Sequence, residues 1–275
     1  MGIKPSQPLT MTLPSPLSSK FKTDLAKEIA KSWELLLCSD FDGTLVHFTG
    51  IPSETTLPPE TEELLSRLGS LENLHLAIIS GRGFRELTDL VPIENATLVG
   101  NHGLKTRFED GTNHEPEILD DLSRAISALE RDVRERFAGK DGIIIEDKGF
   151  GLALHYRQYT GDKNKIKKSF GDLWNSHSHS ELELIEGAEL MEIRPSTWDK
   201  GDAIRVLQER WGMLPTIYLG DDTTDEDAFR VLRNQDRGYP IIVSEETQPS
   251  TLASYRLKNP EEVRRFLEEI YKIFN

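Results

Sequence analysis

The sequence predicts an α/β protein: a parallel-sheet core with helices on both faces, interrupted by an α+β module. Three observations predict it. Short apolar runs bounded by turn residues alternate with helical patterns from Leu35 to Gly100, as in a sheet whose strands are buried on both faces. Near Phe108 the order changes to helix–strand–strand–helix–strand–strand. After Arg194 the alternation of helix and buried strand resumes.

The first 22 residues hold Gly2, Pro5, Pro8, Pro14 and Pro16 among Ser and Thr, without the continuous apolar stretch of a signal peptide. They read as a disordered tail. Leu35-Leu36-Leu37-Cys38 is the first buried strand, and Pro58-Pro59-Glu60 opens a helix through Leu68, with proline in its first turn. Leu74 to Ile79 is a second strand, ending in Ser80-Gly81-Arg82-Gly83 before a helix from Phe84. Thr97-Leu98-Val99 is a third, running into Gly100-Asn101-His102-Gly103. Leu119, Leu122, Ile126, Leu129, Val133 and Phe137 recur at three- and four-residue spacing, one face of a long helix. Gly142–Asp147 and Gly151–Tyr156 read as a hairpin around Lys148-Gly149-Phe150. A helix over Ile166–Trp174 and a strand pair, Leu182–Ile185 with Leu190–Ile193, complete the module. The core resumes with a helix over Asp202–Arg210 and a strand over Thr216–Leu219 that ends at Gly220-Asp221-Asp222. A last helix runs from Asn259-Pro260 to Phe274. The expected organisation is therefore a tail (1–22), a core domain (23–107 with 195–275) and an inserted cap (108–194).

The 275 residues are 37% hydrophobic and 29% charged, the composition of a globular protein with ample material for a core. A net charge of -14 argues against nucleic acid and against membrane surfaces as partners, since both attract basic proteins. A small phosphorylated substrate stays compatible if positive charge is concentrated locally. Cys38 is the single cysteine, so no disulfide forms within the chain, which fits a reducing cytoplasm. No apolar stretch approaches the roughly 20 residues of a membrane span. A cytoplasmic monomer is expected.

Asp40-Phe41-Asp42-Gly43-Thr44 leaves the carboxyl end of the first strand, where open α/β sheets place their ligand crevice. Two close carboxylates are costly unless a cation neutralises them, so the pair asks for a divalent metal; the alternative is a plain Asp-Gly turn. A carboxylate can attack phosphorus, splitting one hard step into two. Asp40 and Asp42 thus supply a nucleophile and an acid/base. Asp221, on another strand end, can complete a magnesium site, because hard cations prefer oxygen ligands. Ser80 at a helix start can donate to phosphate oxygens, and Lys200 can neutralise the transferring group.

Taken in order, Asp40-Phe41-Asp42-Gly43-Thr44, Ser80-Gly81-Arg82, Lys200 and Gly220-Asp221-Asp222 with Asp225 resemble the four motifs of haloacid dehalogenase (HAD) superfamily phosphatases. Gly100-Asn101-His102-Gly103, Glu146-Asp147-Lys148, His155-Tyr156-Arg157, Glu192-Ile193-Arg194-Pro195 and Asp199-Lys200-Gly201 narrow the resemblance to the trehalose-6-phosphate phosphatase family, over roughly residues 32 to 273. The resemblance implies a Rossmann-like core, a cap that closes over a sugar phosphate, Mg2+ and an aspartyl-phosphate intermediate. It makes Asp40 the nucleophile and Asp42 the acid/base, with Asp42 also meeting the metal through its main-chain carbonyl. Asp40 and Asp221 become metal ligands and Asp225 their support. Ser80 and Lys200 hold the phosphoryl group, and Gly81, Arg82, His102, Glu146, Lys148, Arg157 and Glu192 contact substrate.

Two positions depart from the family pattern: Lys105 stands where an acidic residue is usual, and Ala188 where a lysine is usual. Both leave room for a related glycosyl phosphate, of the glucosylglycerol-phosphate or mannosyl-3-phosphoglycerate kind. A catalytically silent sensor on the same fold would lack a chemical residue, yet Asp40, Asp42, Lys200 and Asp221 are all present. A receiver-type phosphoacceptor is about half this length and has no cap. For His102 a structural role and a substrate role are both open. Of His155 and Tyr156, alternating on one strand, one is expected to pack inward. Trp198 reads as packing, and His177 with His179 as a solvated loop.

Overall fold

The computed structural model describes residues 12–47, 55–116, 119–177, 179–187, 189–196 and 198–275. Ala188 lies outside them. From the amino end the elements are α1 (Ser19–Ser32), β1 (Leu35–Ser39), α2 (Pro59–Gly69), β2 (Leu74–Ile79), α3 (Phe84–Leu90), β3 (Thr97–Gly100), β4 (Lys105–Arg107) and β5 (Asn113–His114). Next come α4 (Leu119–Phe137), β6 (Ile144–Asp147), β7 (Leu152–His155), α5 (Lys163–His177), β8 (Leu182–Gly187) and β9 (Leu190–Pro195). The last are α6 (Lys200–Trp211), β10 (Thr216–Gly220), α7 (Glu226–Arg233), β11 (Gly238–Val243), β12 (Tyr255–Leu257) and α8 (Pro260–Phe274). Among the described residues no helix is long and apolar enough to cross a membrane.

The chain forms an α/β fold of two compact units, Met1–Ala77 with Ile204–Asn275 and Ile78–Ala203. These divide at 77/78 and 203/204, whereas the sequence pattern changes near 107/108 and 194/195. In the first unit the strands lie in the order β12-β11-β10-β1-β2. Pairing is parallel between β1 and β10, β10 and β11, and β11 and β12. Every residue of β1 and β10 is buried, which is why both read as unbroken apolar runs. Ser39 pairs with Leu219, so both strands end together and their loops leave side by side.

The tail expected to reach residue 22 is corrected by α1, which starts at Ser19. Ser18 caps it by accepting from the Phe21 N–H at 3.3 Å, and Phe21, Leu25 and Ile29 form a buried stripe. The Phe21 ring meets Tyr255 edge-on at 4.6 Å and Tyr239 at 5.6 Å. Breaker residues favour disorder in this segment, but burying such an aromatic outweighs them, at about 1.5–3 kcal/mol.

In the second unit β3, β4 and β5 pair antiparallel, and a separate antiparallel sheet has the order β6-β7-β9-β8. One face of that sheet, through Leu152, Leu154, Tyr156 and Ile193, packs against Leu122, Ile126, Leu129 and Val133 of α4 and Ile166 and Phe170 of α5. Side chains alternate across a strand, so Tyr156 takes the inward place and His155 the other face. On that face Glu146, Ala153 and Glu192 stand in one row across β6, β7 and β9.

Candidate active site

The first unit holds an acidic centre at the carboxyl ends of β1 and β10. Carboxylate oxygens of Asp40, Asp221 and Asp225 lie within 4.8 Å of one another. The Asp40 N–H donates to the Leu219 carbonyl at 2.8 Å, tying the two loops together. Phe41, fully buried, roots a tight turn in which its carbonyl accepts from Leu45 and Val46 N–H groups. Gly43 has φ +74°, and a Cβ there would fall 2.0 Å from Asp221 Oδ2. Only glycine lets the turn pass that close. Thr44 Oγ1 donates to Asp221 Oδ1 at 3.3 Å. Asp42 is not part of the three-carboxylate group.

Asp225 is fully buried and nearly saturated. Its Oδ2 accepts from the Asp221 and Asp222 N–H groups, each at 2.9 Å, and its Oδ1 from Tyr218 Oη at 2.6 Å. Burial, with the negative charges of Asp225 and Asp40, pushes the Tyr218 phenol far above its usual range, so it stays a donor. Asp225 thereby fixes the loop that carries Asp221. Three converging carboxylates offer a hard, all-oxygen donor set that suits a divalent cation and would repel one another without it. Cys38, on β1 below this centre, takes no part: burial pushes its thiol up, away from the reactive thiolate.

In the second unit the loop after β2 brings Ser80, Gly81 and Arg82 together with His102. Ser80 Oγ accepts from the Arg82 N–H at 3.2 Å, and the Ser80 carbonyl from the His102 N–H at 3.0 Å. A Cβ on Gly81 would lie 2.4 Å from His102 Cε1, so the imidazole rests directly on that glycine. Arg82 is buried and paired with Glu86. Lys200 is buried, and its charge reaches His102. Burial first, then the Lys200 and Lys148 charges, lower the His102 imidazole against the pull of Glu192.

The cap row forms a polar cluster in the same unit. Lys148 Nζ donates to Glu192 Oε1 at 2.9 Å, and His102 Nε2 stands 3.8 Å from the same oxygen. Burial would raise the Glu192 carboxyl, but His102 and Lys148 override it and hold it well below the usual carboxylate range. Glu146 Oε2 meets His155 Nε2 at 2.8 Å. Burial raises the Glu146 carboxyl, and His155 with Lys148 lowers it further than that. His102, Lys148, Glu192 and Glu146 thus form one charged network.

Arg157 does not join that row. It is more than half exposed and lies 3.8 Å from Glu189, because it follows the end of β7 and has lost the strand's alternation. Lys105 pairs with Glu115 at 2.7 Å and sits over the Phe84 ring. His177 ends α5 and meets Asp132 at 2.7 Å; it is not in a loop. Asn101 was not among the expected site residues, yet it joins three segments. Its Oδ1 accepts from the Phe84 N–H at 3.0 Å, its N–H donates to the Arg82 carbonyl, and its Nδ2 to the Lys148 carbonyl.

The trehalose-phosphatase family model matches residues 38–261. The chain belongs to the trehalose-phosphatase family. It is 31% identical over 272 residues to "Probable trehalose-phosphate phosphatase 3" of Oryza sativa subsp. japonica, covering 89% of this chain and 71% of that one. A solved "trehalose-6-phosphate phosphatase related protein" is 25% identical with TM-score 0.71, covering 86% of this chain and 97% of that chain. A haloacid dehalogenase-like hydrolase from Bacteroides thetaiotaomicron shares the fold alone, at 16% identity and TM-score 0.63, covering 86% of this chain and 99% of that chain. This trehalose-phosphatase family member is a phosphatase of phosphoric monoesters on a HAD-like fold, and its acidic centre is compatible with a divalent metal.

Proposed function

We propose that the protein is a magnesium-dependent phosphatase that hydrolyses trehalose 6-phosphate to trehalose and phosphate, as a monomer in the cytoplasm. The observation that carries this reading is the meeting of Asp40, Asp221 and Asp225 within 4.8 Å at two adjacent strand ends. Family membership and the name of the rice relative support the substrate.

In this reading Asp40 attacks phosphorus, and the ester P–O bond breaks as Asp42 protonates the departing sugar oxygen. Asp42 then takes a proton from water, which attacks the aspartyl phosphate and restores Asp40. Ser80 and Lys200 hold phosphoryl oxygens and offset their charge. Asp40, Asp221 and the Asp42 carbonyl would hold magnesium, with Asp225 fixing the loop; bound there, the ion supplies positive charge against the transferring phosphoryl group. Gly81, Arg82 and His102, with Glu146, Lys148, Arg157 and Glu192 of the cap, serve the substrate, the charged row pairing with sugar hydroxyls. Buried polar groups that need such partners reject analogues lacking them.

The test is phosphate release with magnesium across trehalose 6-phosphate, glucose 6-phosphate, sucrose 6-phosphate, glucosylglycerol phosphate and mannosyl-3-phosphoglycerate, with EDTA as control. Strong preference for trehalose 6-phosphate, lost in Asp40→Asn with the fold intact, is expected. Preference for another member would overturn the substrate, and wild-type turnover by Asp40→Asn would overturn the mechanism.

A further inference from the structure

The row Glu146–Ala153–Glu192 has a symmetry that its two carboxylates alone do not explain. Each carboxylate has its own imidazole. Glu192 is approached by His102 at 3.8 Å, and Glu146 is met by His155 at 2.8 Å. Between them Ala153 contributes only a methyl group and is fully buried. Lys148, at the end of the same hairpin, pairs with Glu192 and acts on Glu146 through its charge. The His155 and Glu146 side chains are both about three-quarters buried, so their hydrogen bond is shielded from competing water.

Strand register explains how the second pair forms. Glu146 faces Ala153 directly, and His155 faces Ile144. His155 and Glu146 are therefore diagonal neighbours on one face of an antiparallel pair, within reach of long side chains. A glutamate has three rotatable bonds and costs rotamer freedom to hold still. The imidazole Nε2 removes that freedom at one oxygen, Oε2, and leaves Oε1 to accept from another donor.

We propose that His155 is a positioning residue: it aims the Glu146 carboxylate so that Glu146 and Glu192 bracket the substrate's sugar from two sides. It rests on the functional reading above for the identity of the sugar. Acting through Glu146, it serves binding of the glycosyl part and not phosphoryl chemistry.

The experiment compares His155→Leu, His155→Gln, Glu146→Gln and the double variant His155→Leu/Glu146→Gln, on trehalose 6-phosphate and on a small aryl phosphate. Thermal melts check that each variant folds. A hydrogen bond to a charged group predicts that His155→Leu raises KM for the sugar phosphate about tenfold or more, with aryl phosphate hydrolysis at the wild-type level. His155→Gln, whose amide reaches the same oxygen, recovers most of the loss. In the double variant the two losses do not multiply, because one residue works through the other. Equal losses on both substrates, multiplying losses, or an unchanged KM in His155→Leu would overturn the proposal. A spectroscopic readout separates this from the function itself. The His155 imidazole 15N resonances should shift in Glu146→Gln whatever the substrate. If wild-type enzyme ignores trehalose 6-phosphate yet those resonances shift, the substrate assignment fails and the pairing stands. If they do not shift, the positioning role fails.

Discussion

Two consecutive residues, Asn101 and His102, have left-handed backbones at φ +54° and +57°. For a non-glycine residue this conformation costs about 1–2 kcal/mol, and strain of this kind gathers at functional sites. The strained pair places the imidazole on Gly81 and the Asn101 amide across three segments. Gly81→Ala is expected to displace the ring and cut sugar-phosphate turnover strongly, with a smaller change in melting temperature; assays beside melts check this. His102 also makes stability depend on pH. An imidazole held below its free value of about 6.5 leaves the folded chain unprotonated where the unfolded chain binds a proton. Stability is then full above that pH and falls as pH drops through it toward the lower folded value. Glu192, held down, keeps its contribution over this window and loses it only at more acidic pH. Wild type should therefore lose more melting temperature between about pH 7.5 and about pH 5.5 than His102→Asn does, a substitution that tolerates the left-handed backbone. Asp40 and Asp221 were legible because each follows an apolar run; Asp225, four residues beyond Asp221, was reached only through the family resemblance. Asn101 was not, since its work is hydrogen bonding between segments far apart in sequence, which no local pattern encodes.

Among the elements, β10 does most to build the acidic centre. It delivers Asp221 from its end and Tyr218 from its middle, and Tyr218 holds Asp225. Tyr218→Phe removes the buried hydroxyl that donates to Asp225 Oδ1, a loss of about 1–3 kcal/mol. Urea unfolding should show that loss, and a magnesium titration a weaker apparent affinity; an unchanged midpoint in both would mean water replaces the hydroxyl without cost. In the cap, Phe170 is fully buried between α5 and its neighbours, and Phe170→Ala should destabilise by about 3–5 kcal/mol, measured the same way. The strands β1, β2, β3 and β10 were readable as apolar runs, and α4 from its apolar spacing. The strand β11 was missed because Pro240 sits within it, and proline normally marks a sheet edge or a non-strand. Its carbonyl nonetheless accepts from the Ser254 N–H at 2.9 Å. The strands β4, β5 and β12 are two or three residues long, too short for any period to show.

At the scale of the whole chain, a cation bound only by the folded state adds stability by mass action, about 2.7 kcal/mol at a hundred times its dissociation constant. Magnesium should raise the melting temperature, EDTA reverse it, and Asp221→Asn abolish the difference. A chain of net charge -14 gives a nonspecific rise through screening, so sodium at matched ionic strength is the control. In the parallel core β1, β2 and β10 were legible because burial on both faces forces continuous apolar runs, while β11 and β12 were not. Nor was the segment before the core, and what that segment does reaches beyond stability. The outermost strand of the first unit is β12, and the Arg256 N–H on it donates to the Pro14 carbonyl at 3.1 Å. Having no N–H of its own, a proline occupies that edge without offering the next rung of a ladder. Clipping the chain at residue 22 would take away this stopper together with Phe21, leaving an open strand edge beside uncovered aromatic rings. Such a fragment is a template for strand-to-strand aggregation, and its yield as soluble protein would fall even if each catalytic residue were untouched.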